Sequence, residues 1–408
     1  MSAGVGAATV DRGELARLAT RAPVRGFLTW GAVVAVVGAA LVAWTIATGH
    51  PDRASRDYLI GFLFWTSLAQ ALVIVAATQK LAKGHWAGLI IRFAEAAVAF
   101  LFASVILYGG LVLGRAFLFG ALPVDRSGAG FWFGTTFFLI RNWVIVALMA
   151  WLSWRFVRRD LAPDQAELAQ GKAVETDPEE KGRIARDAAI LVVSWAFGYT
   201  LIGFDLVMTL APRWESNLYG AFFFMGSFLC GLAALAVLSH LHRRVMGLQH
   251  LISAKQMHDL GKLIFGFTVF WGYLMWAQFL VIWYGNIPEE TYFVFYRLWG
   301  PWRPVGTAVF LMVFVIPFIG LLGVKPKKYA PTFLAFSGIS ILGLWLERYL
   351  EIVPSLTPGQ PPSLGVPELG TFLLFGGLFL LSYGWFAGRY PMISPRLAAD
   401  TLEREHSH

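Results

Sequence analysis

Residues 58–79 read YLIGFLFWTSLAQALVIVAATQ, and no charged side chain occurs among these 22 positions. At the 1.5 Å rise per residue of an α-helix, a run of this length crosses the roughly 30 Å hydrocarbon core of a lipid bilayer. The stretch therefore predicts a transmembrane helix.

The composition of the whole chain also indicates a membrane protein. Of its 408 residues, 57% are hydrophobic and 14% are charged, and the mean hydropathy is +0.61. A soluble domain carries about a quarter charged residues, and a soluble core of this composition would need helices that are apolar on every face. We therefore expect an all-α integral membrane protein.

Apolar runs separated by charged or turn-rich breaks predict ten transmembrane helices. The first run follows basic residues, as in a signal peptide, but it is too long for one and we expect a retained helix. The predicted spans lie near 26–48, 58–79, 87–113, 130–154, 188–210, 217–238, 261–285, 302–323, 331–352 and 366–387.

Lysine and arginine are distributed unevenly between the two sets of connecting segments. The two termini and the segments 80–86, 155–187, 239–260 and 324–330 carry 22 of them, whereas the five opposite segments carry 6. Basic residues concentrate in the cytoplasmic segments of membrane proteins. The sequence thus predicts that both termini are cytoplasmic. The same asymmetry explains the net charge of +8 without a nucleic-acid partner.

Few residues of this chain are suited to hold a redox cofactor. The single cysteine, Cys230, cannot bind an iron–sulfur cluster alone. None of the eight histidines lies at the middle of a predicted span, so a bis-histidine haem has no ligands. Several histidines share the segment 239–260, where a metal site is conceivable, but their spacing fits no metal motif and we expect them to be solvated. We predict no cofactor in this chain.

Charged residues inside spans are informative, because each costs at least about 2.5 kcal/mol at the bilayer centre unless it is paired or hydrated. Arg92 and Glu95 are spaced i,i+3 in the third span and can form an ion pair on one helix face. The other candidates are Arg141 near the middle of the fourth span, Asp205 towards the outer end of the fifth, Asp259 and Lys262 at the start of the seventh, and Glu347, Arg348 and Glu351 at the outer end of the ninth.

Two interpretations of these charges remain open. They either form buried ion pairs that fix helix register, or they line a path for protons through partly hydrated cavities. Glu347 and Glu351 lie so near the interface that we expect them to reach water. Glu289 and Glu290 fall in the predicted outer loop 286–301, where they suit either proton release or the docking of a periplasmic partner.

A faint internal repeat is also present. FLFWTSLAQAL (62–72) in the second span is similar to FFFMGSFLCGL (222–232) in the sixth, at an offset of 160 residues. Because four helices separate the two segments, they run in the same direction across the membrane. This arrangement is consistent with a parallel repeat of two four-helix bundles.

Three longer strings resemble a known family: GFDLVMTLAPRWESNLYGAFFFMGSF (203–228), LHRR (241–244) and HDLGKLIFGFTVFWGYLMWAQFLVIWYGNIPEET (258–291). They are similar to the NrfD-like (polysulphide-reductase-type) membrane subunits of bacterial alternative complex III, a quinol:cytochrome c oxidoreductase, and most similar to its ActF-type members. The resemblance is strongest over residues 195–300. Elsewhere it depends on span number and topology.

The resemblance implies a fold of ten helices, in which the first and last flank two four-helix bundles. The corresponding division is a cytoplasmic segment 1–25, the first span and outer loop 26–57, a first bundle 58–210 with a cytoplasmic connector 155–187, a second bundle 211–352, the last span 353–387, and a cytoplasmic tail 388–408. The resemblance also implies that the chain lies in the bacterial inner membrane.

The resemblance also implies partners and cofactors. These are a sister NrfD-like subunit that binds menaquinol, a periplasmic iron–sulfur protein, a multihaem cytochrome c with c-type haems, small membrane subunits and the lipid bilayer itself. ActF-type chains are expected to help move protons without a cofactor of their own. Motif by motif, the carried-over residues are His258, Asp259 and Lys262 of HDLGK, Asn286, Glu289 and Glu290 of NIPEET, and Asp205.

The chain departs from the family pattern at one place. Residues 211–214 read Ala-Pro-Arg-Trp, where the family commonly has Asp-Pro-His-Trp, which weakens a proton role for that outer loop. We expect a membrane subunit, without redox chemistry of its own, that anchors a quinol-oxidising respiratory complex and contributes to proton translocation. The alternatives are a chain that itself binds menaquinol and, from another class, a secondary transporter. Broken helices in both halves would favour the transporter, whereas in this sequence Pro317 alone clearly interrupts a span.

Overall fold

The computed structural model describes residues 22–84, 86–119, 130–171, 176–211 and 214–398. Helices form nearly all of this part of the chain, and ten of them are long and apolar enough to cross a membrane, so the predicted ten-span fold is confirmed. Spans 1 to 10 are Val24–Ala47, Pro51–Leu81, Ile90–Leu113, Thr135–Gln170, Pro178–Leu210, Tyr219–Val245, Ala254–Gly285, Gly300–Gly320, Ala330–Leu356 and Val366–Arg389.

Shorter helices connect or divide the spans. Arg115–Phe119, Pro288–Leu298 and Val324–Lys328 lie between spans. Span 3 consists of Ile90–Glu95 and Val98–Leu113. We call the end of the helix array that holds Ala22, Arg244 and Ala398 the basic end, and the other the opposite end.

Spans 2–5 and spans 6–9 form two bundles with the same internal packing. In the first, span 2 packs against spans 3 and 5, which both contact span 4; in the second, span 6 packs against spans 7 and 9, which both contact span 8. Spans 2 and 6 pack against each other, and each also contacts the closing span of the other bundle. The two bundles are therefore related by a pseudo-twofold arrangement.

The two segments of the weak sequence repeat lie where the two related bundles meet. A Cβ built on Gly231 would lie 2.7 Å from the Cβ of Ala71, so spans 2 and 6 approach each other closely here. These two residues are 160 positions apart, which is the offset between the similar segments 62–72 and 222–232. Small residues allow two membrane helices to come this close. The repeat thus marks the contact between the two bundles.

Spans 1 and 10 pack along each other through small residues. A Cβ on Gly38 would lie 2.2 Å from the backbone nitrogen of Leu374, and one on Gly377 would lie 2.2 Å from that of Ala35. Span 10 also packs against spans 2 and 3. The first and last spans therefore form one pair, held against the first bundle by span 10.

Span 8 is irregular in its middle. Residues Leu311–Val315 form a π-helical turn, followed by the helix Ile316–Gly320, whose second residue is Pro317. Proline has no N–H, and its ring clashes with the carbonyl four residues earlier in a regular α-helix. The wider turn before Pro317 accommodates that ring, and the helix continues instead of ending.

Two connecting segments differ from the sequence prediction. Span 4 continues to Gln170 and span 5 begins at Pro178, so most of the predicted connector 155–187 is helical and part of it is buried. The predicted loop 286–301 contains the helix Pro288–Leu298. Glu289 and Glu290 lie in its first turn, where the helix dipole favours negative charge.

Candidate functional site

Six charged side chains form a largely buried ion cluster at the basic end, which we call the basic-end cluster. Arg92 is its centre: it contacts Glu95 and Asp164 at 2.5 Å each and lies 3.5 Å from Asp160. The full set is Lys80, Arg92, Glu95, Asp160, Asp164 and Arg396. The predicted pairing of Arg92 with Glu95 is confirmed.

The cluster joins four parts of the chain. Lys80 at the end of span 2 lies 2.8 Å from Asp160 of span 4. Arg396, which follows span 10, contacts Asp164 at 2.6 Å and donates a hydrogen bond to the backbone carbonyl of Asp160. Three cations therefore face three carboxylates, which balances the formal charge and offsets the cost of burying it.

Glu95 is the predicted proton-path acid of the cluster. It is fully buried, and its Oε1, like both carboxylate oxygens of Asp160, has no hydrogen-bond partner among the described residues. The helix begins at Ile90, so Glu95 lies about 7.5 Å along the axis from the helix start. The predicted span start, residue 87, would place Glu95 farther along the helix axis than the structure does.

A second buried ion pair lies in the first bundle near the opposite end. The guanidinium of Arg141 donates to Oδ2 of Asp205 through Nε at 2.9 Å and Nη2 at 2.7 Å, and the Asn142 amide donates to the same oxygen. Arg141 also stacks on the Trp132 ring. Span 4 begins at Thr135, so Arg141 lies in its second turn, and its predicted position near the middle of the span is wrong.

A third charged group lies in the second bundle. Arg348 contacts Glu351 at 2.5 Å and Glu347 at 3.6 Å, and the Trp271 indole N–H donates to Oε1 of Glu347 at 2.6 Å. Glu347 and Glu351 are 3% and 5% exposed. The expectation that these two acids reach water is therefore wrong, because span 9 packs against spans 2, 6 and 8 and Glu347 also contacts Trp271 of span 7.

Beside this group lies a cavity of about 660 Å³ between spans 6, 7, 8 and 9. We call it the second-bundle cavity. Its wall is formed mainly by apolar and aromatic side chains, with Glu347, Glu351 and Arg297 at one part of it. Burial lowers the pKa of the Arg297 guanidinium to about 10, which leaves it protonated at neutral pH. It donates hydrogen bonds to the carbonyl of Glu351 and to Ser355.

The remaining candidates lie at the ends of the array. His258, Asp259 and Lys262 are adjacent at the start of span 7, where Lys262 contacts Asp259 at 2.6 Å and His258 lies 3.9 Å from it. Glu289 is exposed and Glu290 is partly exposed. Neither set is in contact with the three buried groups. The departure at residues 211–214 falls partly outside the described residues, because Pro212 and Arg213 are not described.

The sequence analysis missed five residues. Lys80, Asp160, Asp164 and Arg396 complete the basic-end cluster, and His242 is buried against Phe93, with ring centres 4.2 Å apart. His242 was expected to be solvated, but span 6 continues to Val245. The available indication of the two acids was their spacing. Asp160 and Asp164 are i,i+4 on one helix face, beyond the apolar run of span 4.

Comparison with known proteins adds no family assignment. No protein-family model matches the chain, and no curated protein matches its sequence.

Proposed function

We propose that this chain is an NrfD-like membrane subunit of a quinol:cytochrome c oxidoreductase, and that it contributes to proton translocation. It has no redox cofactor of its own. The partners are a quinol-binding sister subunit, an iron–sulfur protein and a multihaem cytochrome c. In this proposal the basic end faces the cytoplasm of a bacterial inner membrane, in agreement with the distribution of basic residues.

The observation that carries the proton role is the basic-end cluster. Six ionisable side chains meet where spans 2, 3 and 4 and the segment after span 10 converge. Arg92 and Glu95 lie within span 3, and ionisable residues within membrane spans are rare and mark proton relays or ion pathways, because their burial is costly. A single ion pair is enough to fix helix register, whereas six groups allow a proton to move from one carboxylate to another.

Each member of the cluster has a distinct part in this proposal. Glu95 takes up the proton, because its Oε1 has no hydrogen-bond partner among the residues described and its ion pair within that part of the chain is with Arg92 alone, whereas Asp160 lies within 4.0 Å of three cations. Arg92 holds Glu95 and Asp164 in place through its two Nη atoms. Lys80 and Arg396 form ion pairs with the carboxylates of Asp160 and Asp164, respectively. The buried acids Asp205, Glu347 and Glu351 stand near the opposite end and suit the later part of a path.

One observation favours the second candidate function, in which the chain itself binds menaquinol. A quinol needs an apolar cavity at membrane depth, and the second-bundle cavity has the size range of ligand sites in proteins, about 300–1,000 Å³. A secondary transporter is disfavoured, because in the described residues the interrupted spans are span 3 in the first bundle and span 8 in the second, which are not equivalent positions of the two bundles.

Co-purification tests the proposed assembly. An affinity tag on this chain should isolate, from membranes of the native host, a complex with c-type haem absorbance, iron and labile sulfide that reduces cytochrome c with quinol. A strain in which a matched tag is placed on an unrelated ten-span protein is the control. Recovery of this chain alone, under detergents that keep other respiratory complexes intact, would contradict the proposal.

A further inference from the structure

We propose that the basic end of the second bundle binds the phosphate head group of an anionic phospholipid, at a place we call the lysine site. The site consists of Lys262 of span 7 together with Lys327 and Lys328 of the helix Val324–Lys328. It shares no residue with the basic-end cluster or the second-bundle cavity, and it does not depend on the function proposed above.

The helix Val324–Lys328 lies where two spans end. Span 8 ends at Gly320 and span 9 begins at Ala330, and the helix between them packs against spans 7 and 9. Because the spans cross the hydrocarbon core, their ends lie at the level of the lipid head groups. We therefore expect the side chains of this helix to lie at that level.

Lys327 is a buried cation without an acidic partner. It is 6% exposed, and its stem lies on span 7, where a Cβ built on Gly261 would be 2.9 Å from its Cγ. Its Nζ lies 5.5 Å from the centre of the Phe265 ring. The described residues give its side chain no salt bridge or hydrogen bond. Burial, followed by the charge of Lys262, lowers the pKa of the Lys327 ammonium. A buried charge is costly unless it is paired, so an anion is missing from this site.

Two more ammonium groups lie beside Lys327. The Lys262 side chain is exposed and contacts Asp259 at 2.6 Å, whereas Lys328 is exposed and forms no ion pair within the described part of the chain. All three lysines lie near His258, on which each of their charges acts. Asp259 balances one lysine and leaves two positive charges unbalanced. A phosphate fits this arrangement, because its oxygens accept hydrogen bonds from several ammonium groups at once.

The surface beside the lysine site is apolar, which favours a lipid over a soluble phosphate. Ile319 in the last turn of span 8, Leu322 after it and Val324 at the start of the connecting helix are all exposed. Aliphatic side chains at the end of a membrane helix contact acyl chains and gain from the removal of apolar surface from water. A phospholipid contacts these side chains and the lysines together, whereas a soluble phosphate contacts the lysines alone.

The charge of the site selects an anionic lipid. Basic residues grouped between membrane helices at the interface recognise anionic head groups. A zwitterionic lipid carries an ammonium or choline group next to its phosphate, and the unbalanced charges of Lys327 and Lys328 would repel that group. The expected ligand therefore has a phosphate, a net negative charge and acyl chains, as phosphatidylglycerol does.

Equilibrium binding to the full chain in neutral detergent micelles tests this inference. The probes are phosphatidylglycerol and phosphatidylcholine with the same fluorescent acyl chain, and inorganic phosphate is the competitor. Phosphatidylglycerol should bind at least about tenfold more tightly than phosphatidylcholine, and added salt should reduce that difference. Inorganic phosphate at the concentration of the lipid should not displace phosphatidylglycerol, because it makes no apolar contact.

Variants locate the site. Lys327→Met keeps a stem that packs on Gly261 and removes the charge, and Lys328→Met removes a charge from an exposed position. Lys181→Met makes the same change at an exposed position in the first turn of span 5, at the basic end of the first bundle, and is the matched control. Lys327→Met and Lys328→Met together should weaken phosphatidylglycerol binding by at least about tenfold, Lys328→Met alone should weaken it by a smaller factor, and the control should not change it.

Any of four results overturns the inference. Phosphatidylglycerol does not bind, which leaves an acidic protein segment as the counter-charge; it binds no more tightly than phosphatidylcholine; inorganic phosphate displaces it at the concentration of the lipid, which makes the ligand a soluble anion; or the Lys328→Met variant binds it as tightly as the Lys181→Met control. The first three results use the unaltered chain and the fourth an exposed side chain, so the decision does not require Lys327→Met to fold.

Discussion

Removing the carboxylate of Asp205 tests whether the buried ion pairs hold the first bundle together. Asp205 Oδ2 receives three hydrogen bonds, two from Arg141 and one from Asn142, at 2.7–2.9 Å. Breaking a buried pair by deleting one partner costs about 3–5 kcal/mol, because the other charge stays buried. Arg141 keeps its contact with Trp132, so we expect Asp205→Ala to cost about 3 kcal/mol, the lower end of that range.

A series of variants separates charge from hydrogen bonding at this site. Asp205→Asn keeps an acceptor oxygen and should cost less than Asp205→Ala. The double variant Arg141→Met with Asp205→Leu removes both charges and should recover most of the lost free energy of unfolding. Glu179→Gln, at an exposed ion pair in the same span, is the matched control and should leave stability unchanged.

The assay is equilibrium unfolding of the purified chain in mixed micelles, followed by helical circular dichroism. A cost below about 1 kcal/mol for Asp205→Ala would place the pair in the range of exposed ion pairs. That result, or a double variant no more stable than the single one, would refute the argument that this pair stabilises the bundle.

Three further predictions concern packing, topology and cofactors. Gly38→Ala should lower the free energy of unfolding by about 1–3 kcal/mol, because its Cβ would lie 2.2 Å from the backbone of Leu374; Gly26→Ala, which meets no atom within 4 Å, is the control, and equal stabilities would contradict the packing. Reporter fusions at Lys255 and Glu289 should report opposite sides of the membrane, with Lys255 cytoplasmic; the same side for both would disprove the proposed orientation. The isolated chain should contain no haem, iron or labile sulfide, and a stoichiometric Soret band with partners verifiably absent would contradict that prediction.

Local patterns in the sequence predicted the elements whose causes are local. The ten spans follow from apolar runs, because length and hydropathy alone decide whether a helix can cross a bilayer. The pair of Arg92 and Glu95 follows from i,i+3 spacing on one helix. The repeat at an offset of 160 residues was visible in the sequence, whereas the contact between its residues Ala71 and Gly231 is known only from the structure.

Features that depend on distant segments could not be predicted in this way. Asp164 lies 72 residues from Arg92 and 232 from Arg396, and no single-helix pattern relates them. Span 4 was expected to end near residue 154, because the charged residues after it resemble a solvated connector. In the structure this region continues as helix, and its acids face inward against Arg92 and Lys80 instead of water.

The burial of Glu347 and the second-bundle cavity depend on how four helices pack. Near a span end, a carboxylate either reaches water or is enclosed, and the neighbouring helices decide which. Here span 9 packs against spans 2, 6 and 8, and Trp271 of span 7 contacts Glu347. The cavity arises because spans 7 and 8 separate towards one end. The sequence of neither span shows that separation by itself.

The central claim, that the basic-end cluster carries protons, is tested most directly by the number of protons translocated per electron in the assembled complex. Glu95→Gln keeps the shape of the side chain and removes its titratable proton, and Glu179→Gln at the exposed pair is the control. In vesicles, the Glu95→Gln complex should transfer electrons from quinol to cytochrome c and translocate fewer protons per electron than the control. A normal proton-to-electron ratio in Glu95→Gln, with a loss of assembly or thermal stability alone, would contradict the claim and leave the cluster as a structural ion network.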